Sequence, residues 1–234
     1  MMMKTIIVAL DFTDINQAKN FVLKLDPKKC RVKVGKALFT LAGPAFIEFL
    51  HAKGFEVFLD LKFHDIPNTV KDACIVCAKM GIFMLTVHTM GGLNMLLAAK
   101  EGLAQVASAQ TKLMGVTVLT SLDNVALMQI GVSHVINEQV LLLAGLANQA
   151  ALDGVVCSAQ EVQLIKQKYG NSLQLLTPGI RLQQEIDMNS TQDQKRVMTP
   201  RQALAAGSDY LVIGRSITSA ADPAAVIDII IKEQ

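Results

Sequence analysis

The chain has 234 residues, with 22 Lys and Arg against 20 Asp and Glu, and a net charge of +2 points to neither nucleic acid nor an acidic membrane surface as a partner. Hydrophobic residues make up 51% and charged ones 18%, which excludes a disordered chain and fills a core without disulfides or metals. Trp is absent and aromatics reach only 5%, so stacking platforms for bases are not expected.

The opening Met1-Met2-Met3-Lys4 leads into an apolar run that Asp11 ends, too short for a secretory signal. That run is the first of eight short apolar segments expected as strands, at 5–10, 32–35, 57–61, 83–88, 113–119, 154–157, 173–176 and 210–213. Helical periodicity occupies 15–25, 45–52, 70–80, 95–107, 139–151, 159–168, 201–206 and 224–230. Such alternation implies a parallel sheet with helical crossovers, and eight units predict a closed (β/α)8 TIM barrel of one domain over 1–234. An open doubly wound sheet is the rival, but no G-x-G-x-x-G follows the first strand. The stretch 80–99 has the length of a membrane span and lacks Asp, Glu, Lys and Arg. His88, Asn94 and the Gly91-Gly92 pair make it read instead as strand, glycine turn and helix start. Cys30, Cys74, Cys77 and Cys157 suit a soluble, cytoplasmic chain with reduced thiols. Cys74-x-x-Cys77 lies on a helical pattern with no second Cys/His pair, and is expected to pack in the core.

In a barrel, side chains at the carboxyl ends of the strands converge on the active site. Polar residues recur there: Asp11, Lys33, Asp60 and Lys62, His88, Thr120-Ser121, Pro178 through Arg181, and Gly214-Arg215. Structural ion pairing accounts for one such residue; this many at one rim favours a site. Asp60 and Lys62 are two apart on a predicted strand and so share a face, and Asp65 follows before Pro67 opens a helix. Asp65 is either part of this cluster or the cap of that helix. With Lys33 the charges alternate as Lys33, Asp60, Lys62, Asp65. Carboxylates beside Lys62 favour its charged form, which suits a proton donor and not a Schiff-base nucleophile. Gly214-Arg215 and Arg181 follow the eighth and seventh strands, where barrels often hold phosphate. The polar, weakly periodic segment 181–198 is expected to be a mobile lid over that face. His88 is expected as a core histidine bonded to backbone at the rim.

Asp60-Leu61-Lys62-Phe63-His64-Asp65-Ile66-Pro67-Asn68-Thr69-Val70 resembles the signature of the orotidine 5′-phosphate decarboxylase family, whose product is UMP. The resemblance continues through Val8-Ala9-Leu10-Asp11, Lys33-Val34-Gly35, Val87-His88, Leu119-Thr120-Ser121, Thr177-Pro178-Gly179-Ile180-Arg181 and Val212-Ile213-Gly214-Arg215-Ser216. It implies that Lys62 protonates C6 as CO2 leaves, beside Asp60, with Lys33 and Asp65 completing a charged network. Asp65, Ile66 and Thr69 would come from the second subunit of a homodimer. Asp11, Lys33 and Thr69 would bind ribose hydroxyls, and Ser121, with Thr120 beside it, the pyrimidine amide. Arg181, Gln194, Gly214 and Arg215 would hold the phosphate, and Pro178 joins the substrate-binding set. Gln183, Gln184 and Gln192 are also candidates for the lid glutamine; Gln194 is preferred because 193–200 resembles the family's run into the next helix. The resemblance implies no cofactor and no metal, and neither nucleic acid nor membrane as a partner.

Two other readings share these residues. A 3-keto-gulonate phosphate decarboxylase has the same Asp-x-Lys-x-x-Asp core but uses magnesium, and the Ile66-Pro67-Asn68-Thr69 and Leu119-Thr120-Ser121 runs favour the nucleotide enzyme over it. A catalytically dead phosphate-sensing barrel would have no need of so costly a charge cluster.

Overall fold

The computed structural model describes residues 4–107, 110–183 and 197–233. In chain order, β1 (Ile6–Ala9), α1 (Ile15–Val22), β2 (Arg31–Gly35), α2 (Lys36–Ala52), β3 (Val57–Phe63), α3 (Pro67–Lys79), β4 (Met84–His88) and α4 (Gly92–Ala104) form the first half. The second half comprises β5 (Lys112–Val116), α5 (Asn124–Gln129), α6 (Ile136–Gln149), β6 (Gly154–Val156), α7 (Val162–Tyr169), β7 (Gln174–Thr177), α8 (Pro200–Ala206), β8 (Tyr210–Ile213), α9 (Arg215–Thr218) and α10 (Pro223–Lys232). All neighbouring strands pair in parallel, and β8 returns to β1 with Ile7 opposite Val212, so the sheet closes into an eight-stranded barrel.

Period-two alternation divides the strand side chains between two cores. On β1, Ile6 and Val8, with Leu10 just after it, face the helices, where they join the large outer core. Ile7 and Ala9 face inward and meet Phe58, Met84, Met114, Leu176, Tyr210 and Val212 in the barrel's centre. The amino-terminal end of the barrel is plugged. Arg31 lies over the ring of Phe83 at 4.1 Å and pairs with Glu56 at 3.2 Å, while Lys112 donates to Gln174 at 2.9 Å. The opposite end is left open.

Local chemistry sets the helix starts. Asp14 and Asp222 accept from backbone N–H groups in the first turns of α1 and α10. Pro67 begins α3, and Thr199 with Gln202 forms a reciprocal capping box on α8. Left-handed Gly207, at φ 108°, ends α8. All eight expected strands are present. Helix α2 starts at Lys36, ahead of the expected 45, because two helical pieces abut across Gly43 and Pro44, with Gly43 at φ 57°. The short helices α5 and α9 fall outside the expected helical segments. The apolar stretch 80–99 folds as β4, a 3-10 turn at Thr89–Gly91 and the start of α4, and no described helix is long and apolar enough to cross a membrane.

Candidate active site

A cavity of about 360 Å³ opens at the carboxyl ends of the strands. Asp11, Lys33, Asp60 and Lys62 line it from β1 to β3, and Thr120 from the segment after β5. Pro178, Gly179, Arg181, Gly214 and Arg215 line it from the segments after β7 and β8. Apolar Phe58, Val116, Val156, Leu176 and Val212 supply the rest of the surface deeper in the barrel.

The charged residues form a chain of alternating sign. Lys33 Nζ lies 2.9 Å from Asp11 Oδ1 and 3.8 Å from Asp60 Oδ2. Lys62 Nζ donates to both Asp60 oxygens, at 2.7 and 2.8 Å. Lys33 is only 8% exposed, so its charge requires these partners. Burial pushes the Asp60 carboxyl up. The charges of Lys62 and Lys33, with hydrogen bonds from Lys62 and Thr86, outweigh that and hold it below its ordinary 3.8. Asp60 is therefore an anion held between two cationic side chains.

Simple strand alternation is not what brings Asp60 and Lys62 together. On β3 and β4, Leu59 pairs with Leu85 but Phe63 pairs with Val87, so β3 bulges between them. Within the bulge Lys62 takes a left-handed backbone, at φ 53°. Its N–H donates to Thr86 Oγ1 at 3.0 Å, and the same hydroxyl donates to Asp60 Oδ1 at 3.0 Å. Thr86 was missed in the sequence, where a threonine in an apolar strand reads as an ordinary β-former. A polar residue at a barrel-facing position, two before the rim histidine, was the available clue.

At the far side of the cavity the 181–198 segment is anchored at both described ends. Ile180 bridges Met198, and Arg181 N–H donates to the Met198 carbonyl at 3.0 Å. Gly179 turns the chain with φ 81°. Gln194 and the middle of the expected lid, 184–196, lie outside the described residues.

Other expected site residues stand apart from this cavity. Asp65, Ile66, Thr69 and Ser121 are exposed and do not line it. Asp65 Oδ1 accepts from Ile66 N–H at 2.6 Å. The residue that caps α3 is Ile66, with no side-chain bond, so Asp65 is not that helix's cap. No ion pair joins Asp65 to Lys33 or Lys62 among the described residues, so within one chain the network has three of its four expected members plus Asp11. The ring of His88 packs on His64 at 5.5 Å, where a backbone bond was expected. Burial, with the charges of His64, Lys62 and Lys36, pushes its pKa down to about 4. Cys74 and Cys77 are buried on α3, and burial raises both thiols to about 12.

Comparison with known proteins places the chain in one family. Residues 4–230 match the model of the "Orotidine 5′-phosphate decarboxylase / HUMPS family". The chain is 52% identical to the orotidine 5′-phosphate decarboxylase of Pseudoalteromonas atlantica over 225 residues, covering 96% of each chain. It is 52% identical to that of Vibrio cholerae (strain O395), covering 95% of each. Among solved structures, the orotidine 5′-phosphate decarboxylase of Lactobacillus acidophilus superposes with a TM-score of 0.86 at 40% identity, covering 98% of each chain.

Proposed function

The chain belongs to the orotidine 5′-phosphate decarboxylase / HUMPS family, and from that premise we propose that it converts orotidine 5′-phosphate to UMP and CO2 with Lys62 as proton donor. The observation that carries the role of Lys62 is its Nζ resting on the partly buried Asp60 carboxylate, at 2.7 Å, within the barrel mouth.

The chemistry follows from charge. When the C6–carboxylate bond breaks, its electron pair stays on C6 in an orbital that the pyrimidine π-system cannot delocalise. The Lys62 ammonium beside C6 stabilises that pair electrostatically, then transfers an N–H proton to it, and solvent reprotonates the amine. Asp60, itself paired with Lys33, holds the ammonium in place before the reaction, so little reorganisation is needed as charge develops. No cofactor takes part in this scheme.

Substrate contacts divide along the cavity. Asp11 and Lys33 suit ribose hydroxyls, Thr120 the pyrimidine amide, and Arg181, Gly214 and Arg215 the phosphate, with Pro178 beside them. Ser121, exposed outside the cavity, would have to turn inward to share the amide, and Gln194 is the proposed lid contact to the phosphate. Phosphate binding far from C6 supplies energy that closing the 181–198 segment can spend on excluding water.

Asp65, Ile66 and Thr69 complete the cavity of a second subunit in this scheme, making the homodimer the catalytic unit. Their exposure outside the chain's own cavity supports it, as does Ile66, apolar and 67% exposed. Further exposed apolar side chains, Met90, Val125, Met128 and Ile130, lie on neighbouring segments after β4 and β5 and give such an interface material to bury. Four buried free thiols fit a reducing cytoplasm.

The test is ultraviolet absorbance of orotidine 5′-phosphate incubated with exhaustively chelated protein, since losing the carboxylate changes the chromophore. Steady conversion to UMP is expected. No conversion, with or without added magnesium, overturns the proposal and leaves the metal-dependent sugar-phosphate chemistry that shares Asp-x-Lys-x-x-Asp as the better reading, whereas conversion only with added magnesium overturns the cofactor-free scheme.

A further inference from the structure

Thr86 is fully buried on β4, and both hydrogen-bonding capacities of its hydroxyl are engaged at the charge chain. Sheet register explains why this residue serves two partners. Between the pairs Leu59–Leu85 and Phe63–Val87, three residues of β3 (Asp60, Leu61 and Lys62) face Thr86 alone on β4. The regular ladder cannot supply an acceptor for every N–H across that excess, and a buried N–H left unpaired is costly. Thr86 Oγ1 accepts the N–H of Lys62, whose left-handed backbone is disfavoured for any residue with a side chain. The hydroxyl proton then goes to Asp60 Oδ1, the oxygen that also receives Lys62 Nζ at 2.7 Å.

We propose that Thr86 is a positioning residue for the decarboxylation, whose hydroxyl fixes together the backbone turn that aims Lys62 and the orientation of the Asp60 carboxylate on which its ammonium rests. It acts through those two residues and touches no reacting atom. Thr86 has this role only if Lys62 is the proton donor proposed above. Valine has the shape of threonine and neither bond, so it leaves the Lys62 N–H unpaired and Asp60 without its neutral donor. Serine keeps both bonds and loses only a methyl.

The experiment compares Thr86→Val and Thr86→Ser in the full chain, measuring steady-state turnover of orotidine 5′-phosphate and calorimetric affinity for UMP. Thr86→Val should lower kcat about tenfold to a hundredfold, the worth of a hydrogen bond to a charged group, while KM and UMP affinity change less than about threefold. Thr86→Ser should stay within about threefold of wild type in all three. Should Thr86→Val fail to fold, Thr86→Ala replaces it in the same comparison with serine. Wild-type kcat in the hydroxyl-free variant overturns the proposal, as does a serine variant impaired as badly as valine, which would assign the effect to packing. A UMP affinity lost in step with kcat also overturns it, since a general collapse of the mouth would produce that. Wild-type protein inactive on orotidine 5′-phosphate would overturn the function itself, whereas active wild type with an unaffected Thr86→Val removes only Thr86.

Discussion

Replacing Asp60 with asparagine should destabilise the protein, although active-site charges are often stability liabilities. The substitution keeps the side chain's shape and removes its charge. Asp60 lies 2.7 Å from Lys62 Nζ and 3.8 Å from Lys33 Nζ, separations worth roughly 6 and 4 kcal/mol of attraction at an effective dielectric near 20. Desolvation offsets much of that in the intact cluster, but removing the anion alone leaves two cations in a partly dry site. Breaking a buried pair from one side costs about 3–5 kcal/mol. Lys33 retains Asp11 at 2.9 Å, which argues for the lower end. For a chain of 234 residues about 2–4 °C accompanies each kcal/mol, so Asp60→Asn should melt about 6–12 °C below wild type at neutral pH. The pH dependence has a definite sign. Asp60 is held below 3.8 in the folded state, so its contribution is fully present above the unfolded value and disappears as pH falls through the folded one. The melting gap between wild type and variant should be constant above about pH 5 and close below about pH 4. Circular-dichroism melts at a series of pH values measure it. A variant that melts at or above wild type at pH 7 would refute the reasoning, because Asp60 would then be straining the cluster and not neutralising it.

Two other outcomes follow from the division of the cavity. Arg215→Ala should lower kcat/KM on orotidine 5′-phosphate by about tenfold to a hundredfold, equivalent to about 1.5–3 kcal/mol, and leave the unphosphorylated nucleoside nearly unchanged. Equal losses on both substrates would remove Arg215 from the phosphate site. If Asp65 serves the second subunit, inactive Lys62→Ala and Asp65→Ala chains unfolded and refolded together should regain about a quarter of wild-type sites, since half of the dimers would be mixed and each would hold one intact site. No recovery despite demonstrated mixing would contradict a shared site.

The strands were legible because parallel strands buried on both faces read as short, nearly continuous apolar runs, as in 5–10 and 210–213. Their order and number were enough for the barrel, and the barrel in turn told which strand ends meet. Asp11, Lys33, Asp60, Lys62, Arg181 and Arg215 could therefore be grouped before any coordinates, and all six line one cavity. Less was legible where tertiary pairing overrides local pattern. The Gly43-Pro44 break concealed that helix continues from Lys36, and α5 is too short to establish a period. The β3 bulge was beyond reach as well. It arises from how β3 and β4 pair, so neither the left-handed Lys62 nor the double duty of Thr86 has a local signature. Asp65 and Ser121 matched the family's motifs, yet stand outside the cavity of their own chain, because a motif fixes sequence position and not where the fold sets a side chain.

The whole scheme turns on the amine of Lys62, and Lys62→Ala tests it most directly when turnover and UMP affinity are measured on the same folded protein. Loss of kcat by at least about a thousandfold, with UMP still bound and the melt still cooperative, is the predicted result. Turnover within about tenfold of wild type would contradict it, because no cationic group at that position would then be needed to meet the charge at C6.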